Sequence, residues 1–228
     1  MALTRVQSTG RVTANTTTYT LTFATPPALG SGLLLAAIHY GGALPPTAVT
    51  DNRGHTYTRV VQYQNGSSAA IFLCPAVTGT GAPFTLTVNQ GGARDGCAVA
   101  MEISGGPLSV EAFTGATGTS TTPATGATAA LTAAEVCLLA VHVINTTQGS
   151  ITVEAVSPVW LQEFEDLSFA RIPGEADSRL VTGALASTPS CSWTDTAAST
   201  WAAVIAAFSG GAAPAAVPTA QPFIWGPL

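Results

Sequence analysis

Lysine does not occur anywhere in this 228-residue sequence, and charge of either sign is scarce. Seven arginines and twelve acids amount to 8% of the chain, against about 25% in typical globular proteins. So few cations cannot build a clustered basic face, which argues against nucleic acid as a partner. Long apolar runs are also missing. None reaches the roughly 20 residues that span a bilayer as a helix, so no membrane partner is expected. No basic start leads into an apolar stretch with a cleavage site, so the expectation is a protein without a secretory signal. The four cysteines (Cys74, Cys97, Cys137 and Cys191) show neither CxxC pairing nor metal-ligand spacing. Cys74, Cys97 and Cys137, in apolar strand-like runs, are expected as small core hydrophobes, with a structural disulfide the lesser alternative.

The motifs of common catalytic sites are missing as well: no GxSxG elbow, no HExxH and no phosphate loop ending in GK[ST]. The expectation is a chain that is not an enzyme, with no catalytic residues, no cofactor and no metal. The acidic group Glu163, Glu165 and Asp166 could suggest calcium or a glycosidase pair. Neighbours on one strand cannot flank a substrate from both sides, so a solvated face is expected there. His39 and His142 read as structural, and His55, after the turn DNRG, as a surface turn residue. Glu102, inside AVAMEISG, reads as a rim position or as the partner of Arg94 or Arg59 in an ion pair. Trp160, Trp193 and Trp201 are expected in the core rather than as a sugar-stacking platform.

Low charge does not mean disorder, because 46% of the residues are hydrophobic. The surface must then be rich in Thr, Ser, Gly and Ala, or be covered by other subunits, and the second favours a homo-oligomer or a larger assembly. The charge is also uneven: residues 1–105 balance at +2 and residues 106–228 at −7. Such asymmetry could guide the packing of copies.

A period of two dominates what is present. In TTTYTLTF (16–23), Tyr19, Leu21 and Phe23 share one face while Thr18, Thr20 and Thr22 share the other. HTYTRVVQY (55–63) and FTLTVNQ (84–90) repeat the pattern, with turn signals between them at DNRGH, NGSS and NQGGARDG. The chain also repeats itself. LLLAAIHYGG (33–42) is echoed by VCLLAVHVIN (136–145), which sets Leu35, Ala37 and His39 against Leu138, Ala140 and His142. AVAMEISGG (98–106) is echoed by AVIAAFSGG (203–211), which places Glu102 against Ala207. Between these anchors the features keep their order. A turn and long strand (48–63, then 151–165) precede a short apolar strand (69–74, then 168–172) and a further short strand (84–89, then 190–194).

The predicted fold is therefore all-β: an antiparallel, jelly-roll-like β-sandwich built from two similar halves of about 100 residues. The expected divisions are an N-terminal arm at 1–12, a first unit at 13–106, a second at 107–211 and a Pro-rich extended arm at 212–228. Phe223, Ile224 and Trp225 form an apolar cluster in that last arm and are the candidate partner contacts.

Asp51, Gly54, Tyr57 and Val60, then Val77-Thr78-Gly79, then Glu102, Ser104 and Gly105 form an ordered series. It resembles the β-sandwich structural and decoration proteins of tailed bacteriophage virions. The second unit lacks the Asp-x-x-Gly turn. The resemblance implies a virion structural role, most readily as a capsid decoration or cement protein on the shell surface, made in the host cytoplasm. Its partners would be the major capsid protein or other virion subunits. The competing expectation is a carbohydrate-binding or adhesive module of a tail or head fibre, which would expose Trp160 or Trp193.

Overall fold

In a computed structural model, the described residues are 2–40, 46–79, 81–145, 150–166 and 173–211. They hold thirteen strands and no helix. The first sheet is built from β1 (Thr4–Thr22), β2 (Gly32–His39), β3 (Ala48–Asp51), β4 (Thr58–Asn65), β5 (Ser67–Cys74) and β6 (Thr85–Ser104). Its order is β1-β6-β2-β5-β4, with β3 on the far end of β6. The second sheet uses β7 (Leu108–Ser120), β8 (Glu135–Ile144), β10 (Leu161–Asp166), β11 (Gly174–Thr182) and β13 (Ser199–Gly210) in the order β7-β13-β8-β11-β10. A two-stranded piece joins β9 (Ile151–Val153) to β12 (Trp193–Asp195). All the ladders are antiparallel, and the two halves share one topology.

The halves pack through these main sheets. Leu34, Ile71, Val99 and Met101 of the first meet Leu139, Val141, Val204 and Phe208 of the second in one apolar core. The opposite face of each sheet is covered too. In the first half, β1 and β6 bend over so that Tyr19, Leu21, Leu86 and Val88 close on Leu33, Leu35 and Phe72. In the second, β9, β12 and the preceding loops bring Ile151, Trp193 and Leu131 onto Leu138, Ala140 and Ile205. Sandwiched on both faces, β2 and β5 are buried along their whole length, and β8 from its second residue onward. This is why these segments read as continuous apolar runs rather than alternating ones.

Between the halves, β4 lies against β7 and β13, β5 against β13 and β8, and β1 against β10. Because β1 corresponds to β7 and β4 to β10, the seam is self-complementary in the way of a two-fold dimer interface. Arg5 reaches Glu163 with two N–H groups at 2.5 and 2.6 Å on one edge. On the other edge, Asn65 donates to the Gly118 carbonyl at 3.1 Å, and the Tyr63 ring sits over Gly115.

Four sequence expectations change. Residues 4–12 are not an arm, because they are the edge strand β1, paired with β6 from Thr4↔Ser104 to Val12↔Cys97. The strand expected at 168–172 lies outside the described residues, and its place in the order is taken by β11 at Gly174–Thr182. Glu163 is not solvated: it occupies a register shift of β10, its side chain is fully buried, and it also accepts from the Ser178 hydroxyl. Finally, Ala207 pairs with Leu138 as Ala100 pairs with Leu35, so Ala207 stands where Ala100 does and is not the counterpart of Glu102. A slip of two residues leaves every side chain on its own face, which makes it invisible in an apolar pattern. The arm at 212–228, with Phe223, Ile224 and Trp225, lies outside the described residues.

Candidate functional site

The series Asp-x-x-Gly-x-x-Tyr closes on itself. Asp51 ends β3, and its carboxylate accepts from the Arg53 amide at 2.7 Å, the His55 amide at 3.2 Å, His55 Nδ1 at 2.7 Å and the Tyr57 hydroxyl at 2.8 Å. Gly54 takes a φ of +79°, the left-handed geometry that the turn requires. Nε2 of His55 lies 2.9 Å from the main chain of Thr78, tying this turn to the Val77-Thr78-Gly79 turn. The His55 side chain is only 5% exposed, so the surface reading fails. Burial pushes the Asp51 carboxyl up, but the bonds from Tyr57, Arg53 and His55 outweigh it and hold its pKa below the ordinary value. The arrangement is a structural knot: the described residues place no nucleophile against the imidazole.

Glu102 is not at a rim. It is buried inside β6 and accepts from the Gln7 amide at 2.7 Å and from the Ala28 N–H at 2.7 Å. It thereby holds the 25–28 segment against the sheet, and the expected pairing with Arg94 or Arg59 is replaced by neutral donors. Trp160, Trp193 and Trp201 are buried at 7%, 2% and 8% exposure. None of the three forms an exposed stacking platform. The four cysteines are buried, and none is in a disulfide. A cavity of about 170 Å³ beside Leu138, Arg179 and Thr188 is smaller than the usual small-molecule site.

Chemistry gathers in the second half, where sequence reasoning had not sought it. His142 on β8, Glu175 and Asp177 on β11 and Asp195 on β12 are all buried behind Trp193. Trp193 stacks on the His142 ring with centroids 5.0 Å apart and donates its indole N–H to Asp177 at 2.9 Å. Gln162 donates to Glu175 at 2.8 Å, and His142 Nε2 lies 3.3 Å from Asp195. Burial raises the Glu175 carboxyl to about 6 despite the Gln162 bond. Burial, then the neighbouring Glu175 charge, raises Asp177 to about 8. Among the described residues no three His, Cys, Asp or Glu side chains are arranged to hold a metal ion. The signal that could have found this cluster is the pair Glu175 and Asp177 at a two-residue spacing in a strand, but only beside a knowledge of which face is buried.

The surface is almost uncharged. Among the described residues Arg11 and Arg59 are the exposed charged side chains, and the acids whose burial is described are all buried or half-buried. Meanwhile, each of the four edge strands exposes a large apolar side chain: Val6 on β1, Tyr63 on β4, Val110 and Phe113 on β7, and Leu161 on β10. Phe113 is 53% exposed. On β7 the single charge, Glu111, is turned back into bonds with Thr132 and Ser209. None of these edges contains proline. Natural edge strands are normally guarded by lysine, proline or projecting charge; β1 and β4 each carry one exposed arginine, Arg11 and Arg59, whereas β7 has no such guard.

Compared with protein-family models, with curated proteins and with solved structures, the chain matches none.

Proposed function

We propose that this protein is a structural assembly subunit that docks on neighbouring proteins through its strand edges. Its setting is the virion of a tailed phage, where it decorates and cements the capsid shell. The unguarded apolar edge β7 on a surface of few charges carries this reading, because such an edge invites pairing and contact rather than repels it. The motif resemblance supplies the setting, and the bonds around Asp51 and Glu102 account for those motif residues as builders of the fold. On this reading the major capsid protein lies against β7, with Val110 and Phe113 as its apolar anchors. Many copies, each adding a modest contact, would together raise the resistance of the shell to internal pressure.

The test mixes the purified chain with undecorated shells and measures co-sedimentation. The wild type is expected to pellet saturably, and Phe113→Lys to bind at least tenfold more weakly while keeping its circular dichroism spectrum. A chain ending at Gly211 measures the share of Phe223, Ile224 and Trp225. Wild-type protein that stays in the supernatant, and is monomeric by light scattering at high concentration, would sink the proposal.

A further inference from the structure

The duplicated fold supplies its own control for the buried acids. In the first half, His39 stands beside Ser68 and Gly96 in the ladders, and Ala37 beside Ala70. In the second, His142 stands beside Glu175 and Ala203, and Ala140 beside Asp177. In the outer layers Val49 pairs with Val88, whereas Ile151 pairs with Asp195. The same architecture is thus completed once with Ser68, Ala70 and Val88 and once with Glu175, Asp177 and Asp195. Folding does not demand the acids, and burying them costs stability.

We propose that the second half carries a proton-operated latch. The β9–β12 layer stays closed over His142 while the Glu175–Asp177 pair shares a proton, and it loosens when that proton leaves. Three carboxyls are buried side by side. The donors given to them are the Gln162 amide and the Trp193 indole; the His142 ring lies 3.3 Å from Asp195 without a hydrogen bond to it. Glu175 Oε2, Asp177 Oδ1 and both Asp195 carboxylate oxygens have no hydrogen-bond partner, and Glu175 and Asp177 stand two residues apart on one face of β11. Two buried neighbouring carboxyls short of donors are relieved by holding one proton between them, and Asp177, the more strongly raised of the two, keeps it.

The surroundings do not compensate a lost proton. From β10, Glu163 and Glu165 add negative charge, Glu163 being held by Arg5. Asp195 faces the pair from β12. Glu154, beyond β9, and the Cys191 thiol, ahead of β12, flank the same side. From β11 itself, the Arg179 guanidinium lies over Trp160 and donates to the Ser157 carbonyl. From β13 the facing residues are Ala203 and Ile205. Ionising Asp177 would leave adjacent like charges in a low-dielectric site.

The layer that would yield is also the less continuous one. In the first half the outer layer is continuous with the main sheet through the long strands β1 and β6. In the second it is a separate two-stranded sheet of three residue pairs, held on its other side by the bridge Ala124↔Ser192 and by main-chain bonds from Trp193 to Pro123 and from Asp195 to Thr121. A group whose folded pKa is raised binds more protons in the closed state. Closure therefore weakens as pH rises from the ordinary carboxyl range, about 4, through the raised values of Glu175 and Asp177.

Hydrogen exchange read by mass spectrometry on the intact chain tests this at pH 5 and pH 8. The first half corrects for the intrinsic pH dependence of exchange. Protection of 151–153 and 193–195 is expected to fall at least tenfold relative to 48–51 and 86–89. Asp177→Asn, which still accepts from Trp193 and cannot ionise, should hold the ratio constant. Asp195→Val, copying Val88, should raise protection at both pH values and serves if the first variant folds poorly. A wild-type ratio unchanged between the two pH values overturns the latch, as does an Asp177→Asn ratio that falls like the wild type.

Discussion

Replacing Asp51 by alanine takes the acceptor from four donors at once: two turn amides, the His55 ring and the Tyr57 hydroxyl. Hydrogen bonds to a charged group contribute roughly 1.5–3 kcal/mol each. The turn amides can regain water, so the two side-chain bonds set the scale, and the expected loss is about 3–5 kcal/mol. Tyr57→Phe removes one donor and leaves the carboxylate with three, which should cost about 1–2 kcal/mol. For a chain of this size each kcal/mol moves Tm by about 2–4 °C. Asp51→Ala should therefore melt roughly 6–20 °C below the wild type in calorimetry, and Tyr57→Phe roughly 2–8 °C below. In a chain ending at Gly211 the remaining tryptophans, Trp160, Trp193 and Trp201, all lie in the second half, so its emission reports on the half that the substitution does not touch. Because the halves share one core, emission and far-ultraviolet circular dichroism should shift together. The Asp51 pKa is lowered by folding, so its contribution is present above about 4 and is lost as pH falls through the folded value. The gap between wild type and Asp51→Ala should close on acidification. An Asp51→Ala melting point within 2 °C of wild type, or equal to that of Tyr57→Phe, would refute the knot.

Gly115→Ala would place a Cβ 2.5 Å from the Tyr63 ring and 2.8 Å from the Ala203 carbonyl oxygen; overpacking at the seam should cost about 1–3 kcal/mol in urea titration. Glu102→Ala strands the Ala28 N–H and the Gln7 amide and should cost about 2–3 kcal/mol, with Glu102→Gln losing less than half of that in the same assay. Arg5→Ala leaves the Glu163 carboxylate in the seam with Ser178 as its remaining donor. Since Arg5 is itself about a third exposed, the denaturant midpoint should report a loss of only about 1–2 kcal/mol.

Much of the fold was legible because burial leaves a periodic mark. Tyr19, Leu21 and Phe23 announced a half-buried strand by alternation, and all three close the first outer core. The echo of Leu35, Ala37 and His39 in Leu138, Ala140 and His142 announced the duplication, and β2 and β8 occupy matching places in their sheets. The site was far less legible. Glu163 looked solvated because alternation carries no trace of the register shift that turns it toward Arg5. His55 looked like a surface turn residue, although spacing alone already set it four residues from the carboxylate that holds it.

The amino-acid order determined the local geometry: where strands run, where Gly54 lets the chain turn, and which residues want to leave water. These are properties of a few neighbouring residues. What the order could not contain is which apolar face meets which, because every apolar face is chemically alike and long-range pairing is chosen by shape. Only the packed halves decided that β1 meets β10 and β4 meets β7. Only that packing brought His142, Glu175, Asp177 and Asp195, scattered over more than fifty residues of sequence, into one buried cluster. The burial that made them a titrating unit belongs to the assembled layers and to no single stretch of chain.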